Sequence, residues 1–129
     1  MDAADSPSPQ YLHSCTMMTI KPRHFFAFVS TAPKVLATAA QAPGNVAAAT
    51  KADLLRLRFW TYTIWEDAKA MQAWMYHGNH ADAMQQFDRW RRDDAAFVHW
   101  NSALRTIGWA EGLERLSSPD AQRAPKLNP

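Results

Sequence analysis

The chain holds one cysteine, Cys15, in 129 residues, which excludes an internal disulfide framework and any zinc site built on cysteines. Cys15 is expected in an N-terminal extension, outside the fold, as an incidental thiol. Glycine is nearly as scarce, with four residues, and no Gly-rich run is present to wrap a phosphate in backbone N–H groups. Ser-His-Asp order and paired-carboxylate signatures are also missing. No stretch approaches the roughly 18 apolar residues that span a bilayer. The first residues are acidic and rich in Pro and Ser (Asp2, Asp5, Ser6, Pro7, Ser8, Pro9). They lack the basic n-region and apolar core of a signal peptide, so a cytoplasmic location is expected. Charge of one sign is absent too: 14 basic and 12 acidic residues leave a net charge of +2. The local basic cluster Arg89, Arg91 and Arg92 is flanked by Asp88, Asp93 and Asp94. That mixture reads as a solvated helix end, not as the basic stripe of a nucleic-acid binder.

What the chain does have is apolar mass. Hydrophobic residues make up 47% and aromatics 12%, with six Trp, ample for the core of one domain. The reading divides the chain into a disordered extension over residues 1–22, a domain over 23–116 and a flexible tail over 117–129. Met17 and Met18 also offer alternative start sites to Met1. The run His24–Ser30, aromatic and bounded by Pro22 and Pro33, reads as a strand. Pro33 suits the first turn of a helix from Lys34 to Gln41, with Thr31 as its cap, and Pro43-Gly44-Asn45 stops it. Val46–Thr50 is a weak strand, followed by a turn at Lys51-Ala52-Asp53. Leu55–Trp65 is a stronger one. Leu55, Leu57, Phe59, Thr61, Thr63 and Trp65 share one face, and Arg56, Arg58, Trp60, Tyr62 and Ile64 the other, so something must pack on both sides.

Asp67 is placed to cap a helix to about Tyr76, and Gly78 to end it. Asn79 then opens a second helix, with Asp82 in a capping-box-like position. Ala96–Asn101 alternates as the last strand, and Ser102 caps a C-terminal helix that Gly108 and Gly112 weaken. The order is that of an α+β fold with a ferredoxin-like βαββαβ sheet and its helices on one face. The uncovered face needs a further layer, either the C-terminal helix or, more simply, a second copy in a homodimer.

The stretch Phe59-Trp60-Thr61-Tyr62-Thr63-Ile64-Trp65-Glu66-Asp67, with Ala70-Met71, Gly78-Asn79-His80, Ala83-Met84 and Val98-His99-Trp100, resembles the dimeric α+β barrel superfamily. Within it the chain is similar to spheroidene monooxygenase-like proteins and allied small bacterial proteins, over about His24 to Asn101. The resemblance implies a homodimer with a pocket between sheet and helices in each subunit. It further implies a monooxygenase-like oxidoreductase acting there on a small apolar molecule, with haem as a candidate cofactor; a non-catalytic barrel that binds a small ligand or haem is the alternative. The chain departs from spheroidene monooxygenase by ending soon after its last strand, which weighs against a carotenoid substrate.

His80 is the first candidate for catalysis or haem ligation. It shares a helix face with Met84 and Phe87, and a neutral imidazole there can ligate iron or accept a proton. A helix-capping histidine has the same appearance. His77 and His80 form His-x-x-His, but the intervening Gly78 breaks the helix, and no further ligand completes a metal shell. His99 is the second catalytic candidate, with a cross-strand structural role beside it. Arg58 and Tyr62 share a strand face with Trp60 and can bind a propionate or an acidic group; rim ion pairs explain the arginines equally. Trp60, Trp74, Met84 and Phe87 are the candidate pocket lining, or simply core.

Overall fold

The aromatic run at residues 24–30 folds as helix, not strand. The structure, a computed structural model, describes residues 9–76 and 78–123, with side chains throughout except at 78–81. In it, helix α1 spans Phe25–Gln41 behind a short 3₁₀ turn at Pro22–His24. A two-residue period would set Phe26 and Phe28 on one face. The helix separates them: Phe28 turns inward with Ala32, Leu36 and Ala39, while Phe26 is 82% exposed. Thr31 and Pro33, expected at a helix start, both lie inside α1. Pro33 cannot donate to the Val29 carbonyl, so the helix loses one rung beside its inward face.

The first strand is β1, Tyr11–Thr19, within the segment expected to be a disordered extension. It is the central strand. It runs antiparallel to β3, Arg58–Trp65, on one side and to β4, Ala96–Ser102, on the other. Both of its faces are covered, so His13, Ser14, Cys15 and Thr19 are all buried. Cys15 is therefore a core residue, and Met17 and Met18 lie inside β1.

Strand β2, Asn45–Asp53, pairs with β3 at the sheet edge. It absorbs Lys51-Ala52-Asp53, expected as the turn. The turn falls at residues 54–57, where Leu57 takes a left-handed φ of 52° and its carbonyl accepts from the Ile20 N–H at 2.8 Å. Leu55, expected in the strand, is 96% exposed. Gly44 precedes β2 with φ 84°, and a Cβ there would stand 2.5 Å from Ala70 Cβ, so only glycine fits this crossing.

Asp67 caps helix α2, Ala68–Met75, by accepting from the Ala70 N–H at 2.8 Å, as its position predicts. Gly78 begins helix α3, Gly78–Trp90, instead of ending α2. The expected cap at Asn79 lies outside the described side chains. Ser102 does not cap a helix: its hydroxyl accepts from the Leu104 N–H at 3.1 Å, and helix α4 starts only at Trp109 and runs to Leu116. Strand β5, Gln122–Arg123, then pairs with β4 inside the expected flexible tail.

The sheet order is β2-β3-β1-β4-β5, every pair antiparallel. With β1 placed upstream of where it was expected, the chain is an α+β fold with the βαββαβ order of a ferredoxin-like domain. Helices α1, α2 and α3 cover one face, where Ala39, Trp65 and Met71 are buried together. On the far face α4 packs over Cys15, Tyr62, Val98 and Trp100. At the end of α3 the charged cluster is solvated only in part: Arg89, Arg92 and Asp93 are exposed, as expected, but Asp88 and Arg91 are both buried and pair at 2.9 Å. No helix among the described residues is long and apolar enough to cross a membrane.

Candidate functional site

A cavity of about 270 Å³ lies between α1 and the helix-side face of the sheet. Strand alternation determines its floor, since residues paired across strands share a face. Thr16 pairs with Thr61, and Thr61 with Thr50, so three threonines on β1, β3 and β2 form one row. All three line the cavity, with Met18 and Phe59 beyond them. Its roof is Phe28, Ala32, Leu36 and Ala39 of α1, and Trp74 of α2 and Phe87 of α3 close the side. Apart from the hydroxyls, and from Lys51 at the β2 edge, which borders the cavity while pairing with Trp60 of the far face, the described lining is apolar.

The expected site residues divide sharply over this geometry. Trp74 and Phe87 line the cavity. Trp60 borders it from β3, but its pairing with Met17 and its packing against the far-face core set its ring on the other side of the sheet. Met84 does not line it and is 40% exposed. His99 stands on the cavity side of β4, paired with Ser14, but it is exposed and outside the lining. Loss of solvation at its ring lowers its pKa, which favours a neutral imidazole. His80 belongs to the first turn of α3, and its side chain lies outside the described residues, as does His77 entirely.

Arg58 and Tyr62 point to the far face, away from the cavity. Arg58 lies 3.3 Å from Thr19 Oγ1 and 3.7 Å from Asp94, a rim cluster at the strand end. Tyr62 is 1% exposed beneath α4, with its Oη 2.6 Å from His13 Nδ1. His13 Nε2 lies 2.9 Å from the Leu104 carbonyl, which can only accept. Nε2 therefore carries the proton, and Tyr62 donates to Nδ1. Burial pushes the Tyr62 hydroxyl up to about 12, and the Cys15 thiol beside it also to about 12. This closed pair offers neither residue to a ligand in the cavity.

Residues 14–122 match the family described as a domain of unknown function, DUF3291. The chain belongs to that family. A comparison with curated proteins gives no match. Among solved structures, this DUF3291 chain is similar to an antibiotic biosynthesis monooxygenase at 16% identity, covering 70% of this chain and 97% of that one with a TM-score of 0.66. It is similar to SnoaB of Streptomyces nogalater, a cofactor-independent oxygenase, at 13% identity over 75% and 95% of the chains, TM-score 0.58. A protein of unknown function from Nitrosomonas europaea aligns at 14% identity over 79% and 98%, TM-score 0.64. These likenesses show that the DUF3291 chain shares its fold with those proteins, the fold that the resemblance of its motifs implies.

Haem does not fit the DUF3291 cavity. A dry cavity of about 150 Å³ accommodates one benzene, so 270 Å³ holds one or two rings and not a four-pyrrole macrocycle. No described histidine, cysteine or tyrosine lines it, and Lys51 is the one described cation at its margin for two propionates. The described residues also hold no group of three or more potential metal ligands. The threonine row was missed because Thr16 lies in the segment expected to be disordered. Once β1 is paired with β3, the row follows from register alone.

Proposed function

We propose that this DUF3291 chain is a monooxygenase-like enzyme that oxidises a small apolar molecule of one or two rings without a bound redox group. The observation that carries the reading is the aromatic cavity with a hydroxyl floor between α1 and the sheet. The fold it shares with an antibiotic biosynthesis monooxygenase and a cofactor-independent oxygenase supports it further. In such a reaction the substrate supplies all the electrons. An acidic O–H or C–H gives up its proton, the electron-rich anion reduces O2, one oxygen atom bonds to carbon and the other leaves as water. For 1-naphthol the balance is naphthol plus O2 to 1,4-naphthoquinone plus H2O, with no co-reductant. His80, by its place at the start of α3, and His99, on the cavity side of β4 with its pKa lowered by desolvation, are the proposed proton acceptors.

Oxygen uptake tests this, with naphthols as probes and ¹⁸O₂ tracing one atom into product. Uptake should be abolished in Ala32→Phe, which fills the cavity, and should fall about a hundredfold in His80→Ala if it is the base. Uptake indifferent to Ala32→Phe would sink the reading.

The second reading, a non-catalytic small-ligand binder, is favoured by one observation: Lys51 is the one titratable residue in the described lining, and its pairing with Trp60 puts it in register with the far face, not with the floor. Naphthol binding that Ala32→Phe abolishes, without oxygen uptake, selects this reading. In either case we propose a homodimer built on the part of the far face that α4 leaves half-buried, around Met17, Ala47 and Trp60.

A further inference from the structure

We propose that the row Thr16–Thr61–Thr50 selects the ligand's chemistry: the cavity takes uncharged molecules that carry oxygen on an otherwise apolar frame, and Thr61 reads that oxygen. The inference rests on the cavity reading above and deepens it. Paired residues on adjacent strands stand about 5 Å apart, so the row is a polar strip roughly 10 Å long. No hydrogen bond within the described residues engages any of the three hydroxyls. Each can therefore both donate and accept toward a guest.

A guest large enough to fill the cavity displaces the water that otherwise satisfies this strip. A pure hydrocarbon then leaves the half-buried Thr16 and Thr61 hydroxyls dry and unpartnered, which is disfavoured, while Thr50 is exposed at the sheet edge. A carboxylate meets the opposite difficulty. It must be desolvated against Phe28, Leu36, Phe59, Trp74 and Phe87, and the exposed Lys51 at the sheet edge is the only described cation near it. A neutral hydroxyl or carbonyl avoids both penalties. Thr61 is central in the row, flanked by a threonine on each side, so an oxygen bound there can share either neighbour.

Equilibrium dialysis of the full chain under argon, so that no oxidation intervenes, tests the inference with naphthalene, 1-naphthol and 1-naphthoate. Thr61→Val keeps the branched shape and removes the hydroxyl, whereas Thr61→Ser keeps the hydroxyl. The expected result is a loss of about tenfold in naphthol affinity in Thr61→Val, with naphthalene binding no more weakly and up to severalfold more tightly, and Thr61→Ser close to wild type. Naphthoate should bind wild type at least about tenfold more weakly than naphthol. Equal losses for naphthol and naphthalene, no loss for naphthol, or naphthoate as tight as naphthol would each overturn the role of the row while leaving the cavity reading intact. Failure of all three probes to bind the wild-type chain would overturn the cavity reading and this inference together.

Discussion

At the scale of single residues, the far face of the sheet is where titration bears on stability. Tyr62 and Cys15 are acids held neutral beneath α4, and desolvation is the leading cause for both. A thiol ordinarily near 9.0 and a phenol ordinarily near 10.0 are each raised to about 12. Between those limits the unfolded chain releases protons that the folded chain retains. Stability therefore falls as pH rises, and the fall is confined to the window from about 9 to about 12. Urea midpoints should be level between pH 7 and 9 as far as these groups are concerned, then drop steadily. Cys15→Ala should delay the onset toward pH 10, because only Tyr62 then contributes. A midpoint in the Cys15→Ala chain that falls just as early as in wild type would show that the thiol is not the group responsible.

These residues also show the limits of reading the sequence one position at a time. Tyr62 was legible as the buried end of its strand face. Its partner His13 was not, because its segment looked like an acidic, Pro/Ser-rich leader continuing inward. Nothing in composition reveals that a histidine 49 positions away in sequence accepts a hydrogen bond from that tyrosine. The same holds for Arg91 and Asp88, whose charges suggest solvent but whose pairing at 2.9 Å lies in the core. Removing one member of such a buried pair costs about 3–5 kcal/mol.

At the scale of elements, the order of strands and helices was legible, and the identity of the first strand was not. Strand β1 is covered on both sides, so the alternation that marks a half-exposed strand is absent. Its polar residues Ser14 and Thr16 face the helix side, while His13 and Thr19 face the other. Helix α1 misled for the converse reason. Over seven residues its aromatics mimic a buried strand, and Pro33 appears to begin a helix that is already under way. Read over all 17 residues, the inward set Phe25, Phe28, Ala32, Leu36 and Ala39 follows a helical period. Strand β3, the cap at Asp67 and strand β4 were legible because local chemistry alone decides them.

Gly112, which weakens helix α4 in isolation, faces Tyr62. A Cβ there would stand 3.0 Å from Tyr62 Cε2 and 3.3 Å from Cys15 Sγ. Tyr62 cannot swing aside, since His13 holds its hydroxyl and Trp100 and Trp109 meet its ring edge-on. Gly→Ala gains about 1 kcal/mol of helix propensity, whereas overpacking a fixed aromatic costs about 1–3 kcal/mol. The crowding should win. Gly112→Ala is expected to lower stability by up to about 2 kcal/mol in urea unfolding, and a stabilised variant would mean that α4 sits more loosely on the sheet than its contacts indicate.

At the scale of the whole molecule, the two sheet faces have different fates. The helix side encloses the cavity; the far side is shared between α4 and whatever meets the remainder. Helix α4 approaches β1 and β4, leaving Met17, Trp60 and Ala47 only half-buried toward β2. Met17 pairs with Trp60 and Trp60 with Lys51, so the free part is an apolar patch closed by a lysine at the sheet edge. A stable pairing of proteins buries about 800 Å² on each partner, and α4 already occupies much of the sheet. The proposed homodimer is therefore weak, and it should assemble with concentration. In sedimentation equilibrium the mass should rise from 14.6 kDa toward twice that value as the chain is concentrated from micromolar to hundreds of micromolar. Trp60→Lys, which sets a second positive charge opposite Lys51 and its copy, should hold the chain at the lower mass. A wild-type chain that stays at 14.6 kDa across that range would mean that α4 completes the far face by itself. The second layer that the two-faced strand Arg58–Trp65 requires would then come from within a single chain.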